Sequence, residues 1–364
     1  TTAAKAAGKT ISDGTDTGTV TLTALHSTLG ADLSGVDAST VTAAFDGNGT
    51  FTGDIGNAVV TVGNNNTLTT TAAKASGKTI NEADATNATV TLTALHSTLA
   101  ANLSGITTNA VTAAFDGNGT FTGNLGTAVV TVGDGNTLTA TAAVVTGKTI
   151  NEADATNATT TITALHSTLA ANLSGITTNA VTAAFDGNGT FTGNLGTAVV
   201  TVGDGNTLTA TAAVVTGKTI TEAAETNATT TITALHSTLA ADLSGIDTNA
   251  VTAAFGGNGT FTGDLGTAVV TVADNVSLTG AANKLVSHTI NKSGTGADNG
   301  AIVVTLNAAA DTAVDLTQLT GNAAITSITA ADSFTFTGTL HGTTATTIAD
   351  GVNSVSYTHL RAHE

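Results

Sequence analysis

Short runs in which every second residue is apolar recur along the chain. Thr89-Val-Thr-Leu-Thr93, Ala110-Val-Thr-Ala-Ala-Phe115, Gly119-Thr-Phe-Thr-Gly123, Ala128-Val-Val-Thr-Val132 and Thr137-Leu-Thr-Ala-Thr141 are examples. A period of two, in segments rich in Val and Thr, predicts short half-buried β-strands. Between them lie Asp116-Gly-Asn-Gly119 and Gly133-Asp-Gly-Asn136, where Gly and Asn tolerate the left-handed backbone of tight turns. One stretch departs from this pattern. Leu92, Leu95, Leu99, Leu103 and Ile106 have helical spacing, which leaves two readings open: a short helix over residues 94–102, or an irregular arc whose leucines point inward.

The pattern is periodic on a longer scale. Ala-Leu-His-Ser-Thr-Leu begins at Ala24, Ala94, Ala164 and Ala234, and residues 93–150 are identical to residues 163–220. A fixed period of seventy residues predicts a repeat array. The repeats span residues 1–69, 70–139, 140–209 and 210–279, followed by a divergent fifth over 280–353. The fifth keeps His288-Thr-Ile-Asn291 in step with Lys218-Thr-Ile-Thr221. Its Phe334-Thr-Phe-Thr-Gly338 matches Gly259-Thr-Phe-Thr-Gly263.

Composition decides between two all-β architectures. Aromatic residues make up 3% of the 364, and Pro, Cys, Met and Trp are absent. A string of β-sandwich domains needs a bulky core in each bead, and this sequence offers little to build one. A parallel β-solenoid needs only a narrow interior of Val, Ile, Leu, Ala and Thr, and loses no ladder donor to proline. The solenoid is therefore expected, with three or four rungs per repeat and the turn-flanking Phe pairs in the widest part of the core. The string of sandwiches is the alternative. Disorder is disfavoured by 41% hydrophobic residues, only 10% charged ones, and regular alternation.

Charge narrows the partners. A net charge of −17 repels phosphate backbones, so no nucleic-acid partner is expected. No run of residues is apolar enough for a membrane helix, so no membrane insertion is expected in this segment. The tail, Ser354-Val-Ser-Tyr-Thr-His-Leu-Arg-Ala-His-Glu364, holds the only Tyr and the only Arg and resembles the translated read-through of a sequencing adapter. It is read as artefactual, the end of a metagenomic fragment, and His359, Arg361 and His363 carry no function in this reading.

Candidate chemistry is sparse. His26, His96, His166 and His236 are the repeated titratable groups suited to soft metals or proton transfer, but a neighbouring second ligand is missing from the sequence. Exposed or corner positions are expected for them. The adjacent Ser27, Ser97, Ser167 and Ser237 give no triad geometry. The turn Phe115-Asp-Gly-Asn-Gly-Thr-Phe121 offers oxygens to calcium, yet its fourth copy replaces the aspartate with Gly256. Turn formation is the expected role, with weak calcium binding at the acidic turns left open. The Gly-Lys-Thr at Lys9, Lys78, Lys148 and Lys218 lacks the upstream glycine of a phosphate loop. Thr-x-Thr runs such as Thr159-Thr-Thr-Ile-Thr163 recur about once per repeat, too seldom for a threonine array on every rung. No catalytic, cofactor-binding or metal residue is assigned, and no enzymatic activity is expected.

Residues 1–353, with their near-identical repeats, resemble the long tandem arrays of bacterial adhesin-like surface proteins. That resemblance implies an extracellular or cell-surface stalk or fibre, whose partners are adjacent repeats and other copies meeting at exposed solenoid ends. A self-assembling surface-layer or sheath protein, calcium-assisted, is the alternative. A carbohydrate-binding module is disfavoured because the sequence supplies few aromatics to stack on sugar rings.

Overall fold

A computed structural model describes residues 1–339 except 15–16, 85–86, 155–156, 224–226, 295–299, 308–309 and 331–334. It also describes the backbone of strands Thr346–Ile348 and Ser356–Tyr357. The fold is all-β: parallel sheets stack as a β-solenoid of about 14 turns, with 11% helix. Apart from Ser356–Tyr357, residues 354–364 lie outside the described residues.

Two compact units are distinguished, Thr1–Ala183 with Gly196–Ala198, and Ala184–Leu195 with Val199–Glu364. In the first unit, Ala110–Phe115 pairs in parallel with Val129–Val132, whereas Gly119–Phe121, between them in sequence, pairs with Thr137–Thr141. The chain thus alternates between two sheets, and one turn consumes two strands. A seventy-residue repeat contributes seven strands: in the second these are Ile80–Glu82, Thr89–Thr93, Ile106–Thr107, Ala110–Phe115, Gly119–Phe121, Val129–Val132 and Thr137–Thr141. Seven strands at two per turn make three and a half turns. An odd strand count has a direct consequence: a residue and its copy seventy positions later fall on alternate sheets. Thr89–Thr93 belongs to the sheet of Ala110–Phe115, while its copy Thr159–Thr163 belongs to that of Gly119–Phe121.

Register explains why the interior is so uniform. In Ala110–Phe115 the residues Val111, Ala113 and Phe115 are buried. Their partners on adjacent turns, Val90, Leu92, Val130 and Val132, are buried as well. Like therefore stacks on like. Phe45, Phe51, Phe115 and Phe121 are at most 1% exposed, and each contributes roughly 1.5–3 kcal/mol through burial.

The second unit repeats this arrangement. Thr207–Thr211, Thr229–Thr233, Ala250–Phe255, Val269–Val272 and Ile290–Lys292 pair in parallel through consecutive turns. The divergent fifth repeat continues it, with Ser277–Ala281 pairing to Ala301–Leu306 and that strand to Ala324–Ala330. A register shift at Ile302/Val303 absorbs the altered spacing. Phe336 takes the buried position that the match to Phe261 anticipated.

The leucine stripe resolves as the arc. Leu92 lies within the strand Thr89–Thr93, and only Leu95–Ser97 forms a 3-10 turn. Ala94 precedes it at φ 57°, a left-handed conformation costing roughly 1–2 kcal/mol for a residue with a Cβ, and Thr98 at φ −135° ends it. Leu92, Leu95, Leu103 and Ile106 point into the core from this irregular path, whereas Leu99, expected to do the same, is half-buried against Gly119. A helical turn does form at Ala142–Val145, where Ala142 and Val145 bury one face and Gly147, at φ 67°, stops the turn. The turn chemistry holds in detail: the left-handed position filled by Gly135 and Gly205 is filled by Asn65 and Asn275 in the flanking copies.

Candidate functional site

The histidine-bearing corner is the most chemically distinctive feature repeated in each copy. His96 lies in the Leu95–Ser97 turn, and its ring meets Phe115 edge-on at 6.3 Å and 82°. His26 meets Phe45, and His236 meets Phe255, at the same separation. The ring also lies against the following turn. A Cβ at Gly117 would stand 2.6 Å from His96 Cδ2, and one at Gly47 would stand 2.7 Å from His26 Cδ2. Glycine in the Asp-Gly-Asn-Gly turn therefore serves the histidine as well as the bend.

This geometry is one of packing. The Nδ1 atoms of His26 and His96 are buried without a hydrogen-bond partner, enclosed by protein. In the fourth copy, where the aspartate becomes Gly256, its backbone N–H donates to His236 Nδ1 at 3.2 Å. In that bond the Nδ1 lone pair is the acceptor. Ser167 Oγ stands 3.2 Å from His166 Nε2, a contact between sequence neighbours on one turn. Among the described residues, no group of three or more His, Asp or Glu is placed to hold a metal ion.

In the acidic turns, the asparagine is engaged by the fold. Asn48, Asn118, Asn188 and Asn258 each accept, through Oδ1, the backbone N–H of Thr67, Thr137, Thr207 or Ser277 on the next turn, always at 2.7 Å. A bond of this kind ties successive turns together at the corner. The lysines of the Gly-Lys-Thr motif act similarly, with Lys78 Nζ donating to Gly56 O and Lys148 Nζ to Gly126 O, both at 2.6 Å.

The fifth repeat carries His288 where the others carry that lysine. His288 is half-buried, and this burial holds its pKa below the usual 6.5, partly opposed by the charge of Asp264. The folded state then binds the proton less readily than the unfolded chain. Stability from this group is complete above pH 6.5 and lost as pH falls through the lower, folded-state value. Replacing His288→Lys is expected to abolish a mild acid destabilisation of the fifth repeat. Chemical denaturation of both proteins between pH 7.5 and 5 (about the range over which an ordinary histidine titrates) checks it.

A recess of about 450 Å³ is lined by Glu222, Asp247, Asn249 and neighbouring Thr and Val residues. Glu222 Oε2 there accepts from Asn249 N at 3.0 Å. Glu82 and Glu152 do the same for Asn109 and Asn179. The carboxylate recurs as a clamp between turns, a role that the spacing of acids in the sequence did not disclose. No helix of the described residues is long and apolar enough to cross a membrane.

Among known proteins, no family model, no curated protein and no solved structure matches this chain.

Proposed function

We propose that this chain is a non-catalytic structural segment of an extracellular bacterial surface protein, an adhesin-like stalk or fibre whose reach is set by copy number. The observation that carries this reading is the repeated use of polar side chains as ties between turns. Asn118, Lys148 and Glu152, like Asn48, Lys78 and Glu82, are the residues a binding or catalytic site would draw on, and each is bonded to the backbone of a neighbouring turn. Copies that differ so little add length rather than new chemistry. Such segments are stabilised by nearest-neighbour interfaces, and they grow without redesign when a repeat is duplicated.

The test is a length series. Inserting one further copy of residues 140–209 should extend the particle in electron micrographs by about 17 Å, three and a half turns at ~4.8 Å each. An inserted copy that thickened the particle without lengthening it would contradict the stalk.

The outward sheet positions support the sheath alternative. Thr139, Thr161 and Thr182 stack in one uncharged column, as do Thr69, Thr91 and Thr112 in another. Flat faces without charge favour lateral packing between copies. Ordered sheets or bundles of the purified protein, appearing on addition of calcium, would favour the sheath over the stalk.

A further inference from the structure

The four full repeats are nearly interchangeable, so the positions where they differ are informative. One set lies in a single column of turns. Asp32 forms an isolated parallel bridge with Asp54, Asn102 with Asn124, and Asp242 with Asp264. The next turn brings Ala73 and Lys74 over Asp54, because Thr50 pairs with Thr69 and Val60 with Ile80 on either side of it. The same bracketing sets residue 144 over Asn124 and residue 284 over Asp264. Asn124 and Val144 line one recess, and Asn194 and Val214 another.

The identities in this column change together. Asp54 is followed by Lys74 and Asp264 by Lys284, whereas Asn124 is followed by Val144 and Asn194 by Val214. Two stacked carboxylates repel each other, and a lysine one turn further on offsets that repulsion; stacked amides need no such partner. Electrostatics agree: the Ser34 hydroxyl and N–H hold Asp32 below the usual carboxylate range, with Lys74 adding to the effect. Ser244 and Lys284 do likewise for Asp242.

A second column changes in the same copies. Thr107 donates to Asn81 Oδ1 at 2.8 Å, and Thr177 donates to Asn151 Oδ1 at 2.9 Å. Where Asp37 or Asp247 takes the place of that threonine, the register partner is Ser12 or Thr221. Hydroxyl faces acceptor in every copy, with the two sides exchanged.

We infer that the partly exposed corners carry a matching code between turns, in which the Asp54–Lys74 and Asp264–Lys284 pairs mark a charged type of repeat and the Asn124–Val144 and Asn194–Val214 pairs a neutral one. Its use lies in register. A chain of near-identical repeats can pair seventy residues out of step, and such a slip sets Asp54 beside Val144 or Asn194 beside Lys284. The core changes only in size at a few positions, as in Ala75 for Val145, whereas the column changes in charge.

The test is a double-mutant cycle read by native-state hydrogen exchange at Val60 N and Gly77 N, which bond to Thr79 O and Asn102 O across adjacent turns. Lys74→Val alone should raise local opening about two- to five-fold, the range of an exposed ion pair. Adding Asp54→Asn should return opening to near the parent value, and ~1 M salt should shrink the effect of the single substitution. The reverse transplant gives an independent arm. Val144→Lys should change little alone but should protect when joined to Asn124→Asp. Multiplicative effects in either cycle, with the double variant opening as the product of the singles, would overturn the code.

Discussion

Replacing Gly123→Ala should destabilise the protein by roughly 3 kcal/mol or more, at the upper end of what overpacking costs. A Cβ at this position would stand 2.0 Å from the carbonyl oxygen of Ala101 and 2.8 Å from two backbone carbons of the turn beneath. Neither neighbour can swing aside as a side chain would, because Asn124 N bonds to that same Ala101 oxygen at 2.9 Å. Gly53 and Gly263 meet the identical obstacle at 1.9 Å, from Ala31 O and Ala241 O. Gly135 is the control. It has φ 70° with nothing within 4 Å of an added methyl group, so Gly135→Ala should cost only about 1 kcal/mol, and Gly135→Asn less. Urea denaturation of the three variants decides the matter. Equal losses at positions 123 and 135 would mean that the turns do not approach each other so closely.

Replacing Phe115→Ala should cost about 3–5 kcal/mol. Phe115 is fully buried, pairs with Val132 on the adjacent turn, and receives the edge of His96. The narrow interior around it is made of Val, Leu and Ala, none long enough to fill the space of a lost ring. Phe115→Leu should recover most of the loss by keeping volume. Because turns support one another only through their neighbours, the damage should be local. Hydrogen exchange should show loosened amides in Thr89–Thr93 and Val129–Val132, the strands flanking Ala110–Phe115, before any in Thr19–Leu22. A uniform loss across the chain would indicate a single cooperative core instead.

Much of this architecture was legible in the chain. The alternation Val111, Ala113, Phe115 gave both the strand and its buried face, and Asn65 standing where Gly135 stands marked a left-handed turn. The half-turn offset between copies was not legible. A period of two shows that a segment is a strand but not how many strands close a turn, so the alternation of sheets had to come from the pairing. The leucine stripe misled for a related reason. Leu92, Leu95 and Leu103 all reach the core, but through a left-handed kink at Ala94, and alanine carries no sequence signal for that conformation. For the corner histidines, the sequence shows only that no ligand stands beside them. Their place beneath a glycine turn, visible in the 2.6 Å approach at Gly117, depends on which turn lies above. The clamps made by Glu152 and Asn118 were equally hidden, since each bonds to backbone rather than to a recognisable partner.

The direct test of the account is whether successive turns lie parallel and in register. The chain has no cysteine, so spin labels can be placed in pairs without background. Thr89 pairs with Ala110, and Thr91 with Thr112, both at an offset of twenty-one residues. Cysteines at 89 and 110, at 91 and 112, and at 89 and 114 should be labelled in turn and their electron paramagnetic resonance spectra compared. The account predicts strong spin–spin broadening for the first two pairs, whose backbones lie about 4.8 Å apart, and little for the third. Strong broadening at 89 and 114 with none at 89 and 110 would mean antiparallel strands, as in a string of sandwiches, and would contradict the solenoid.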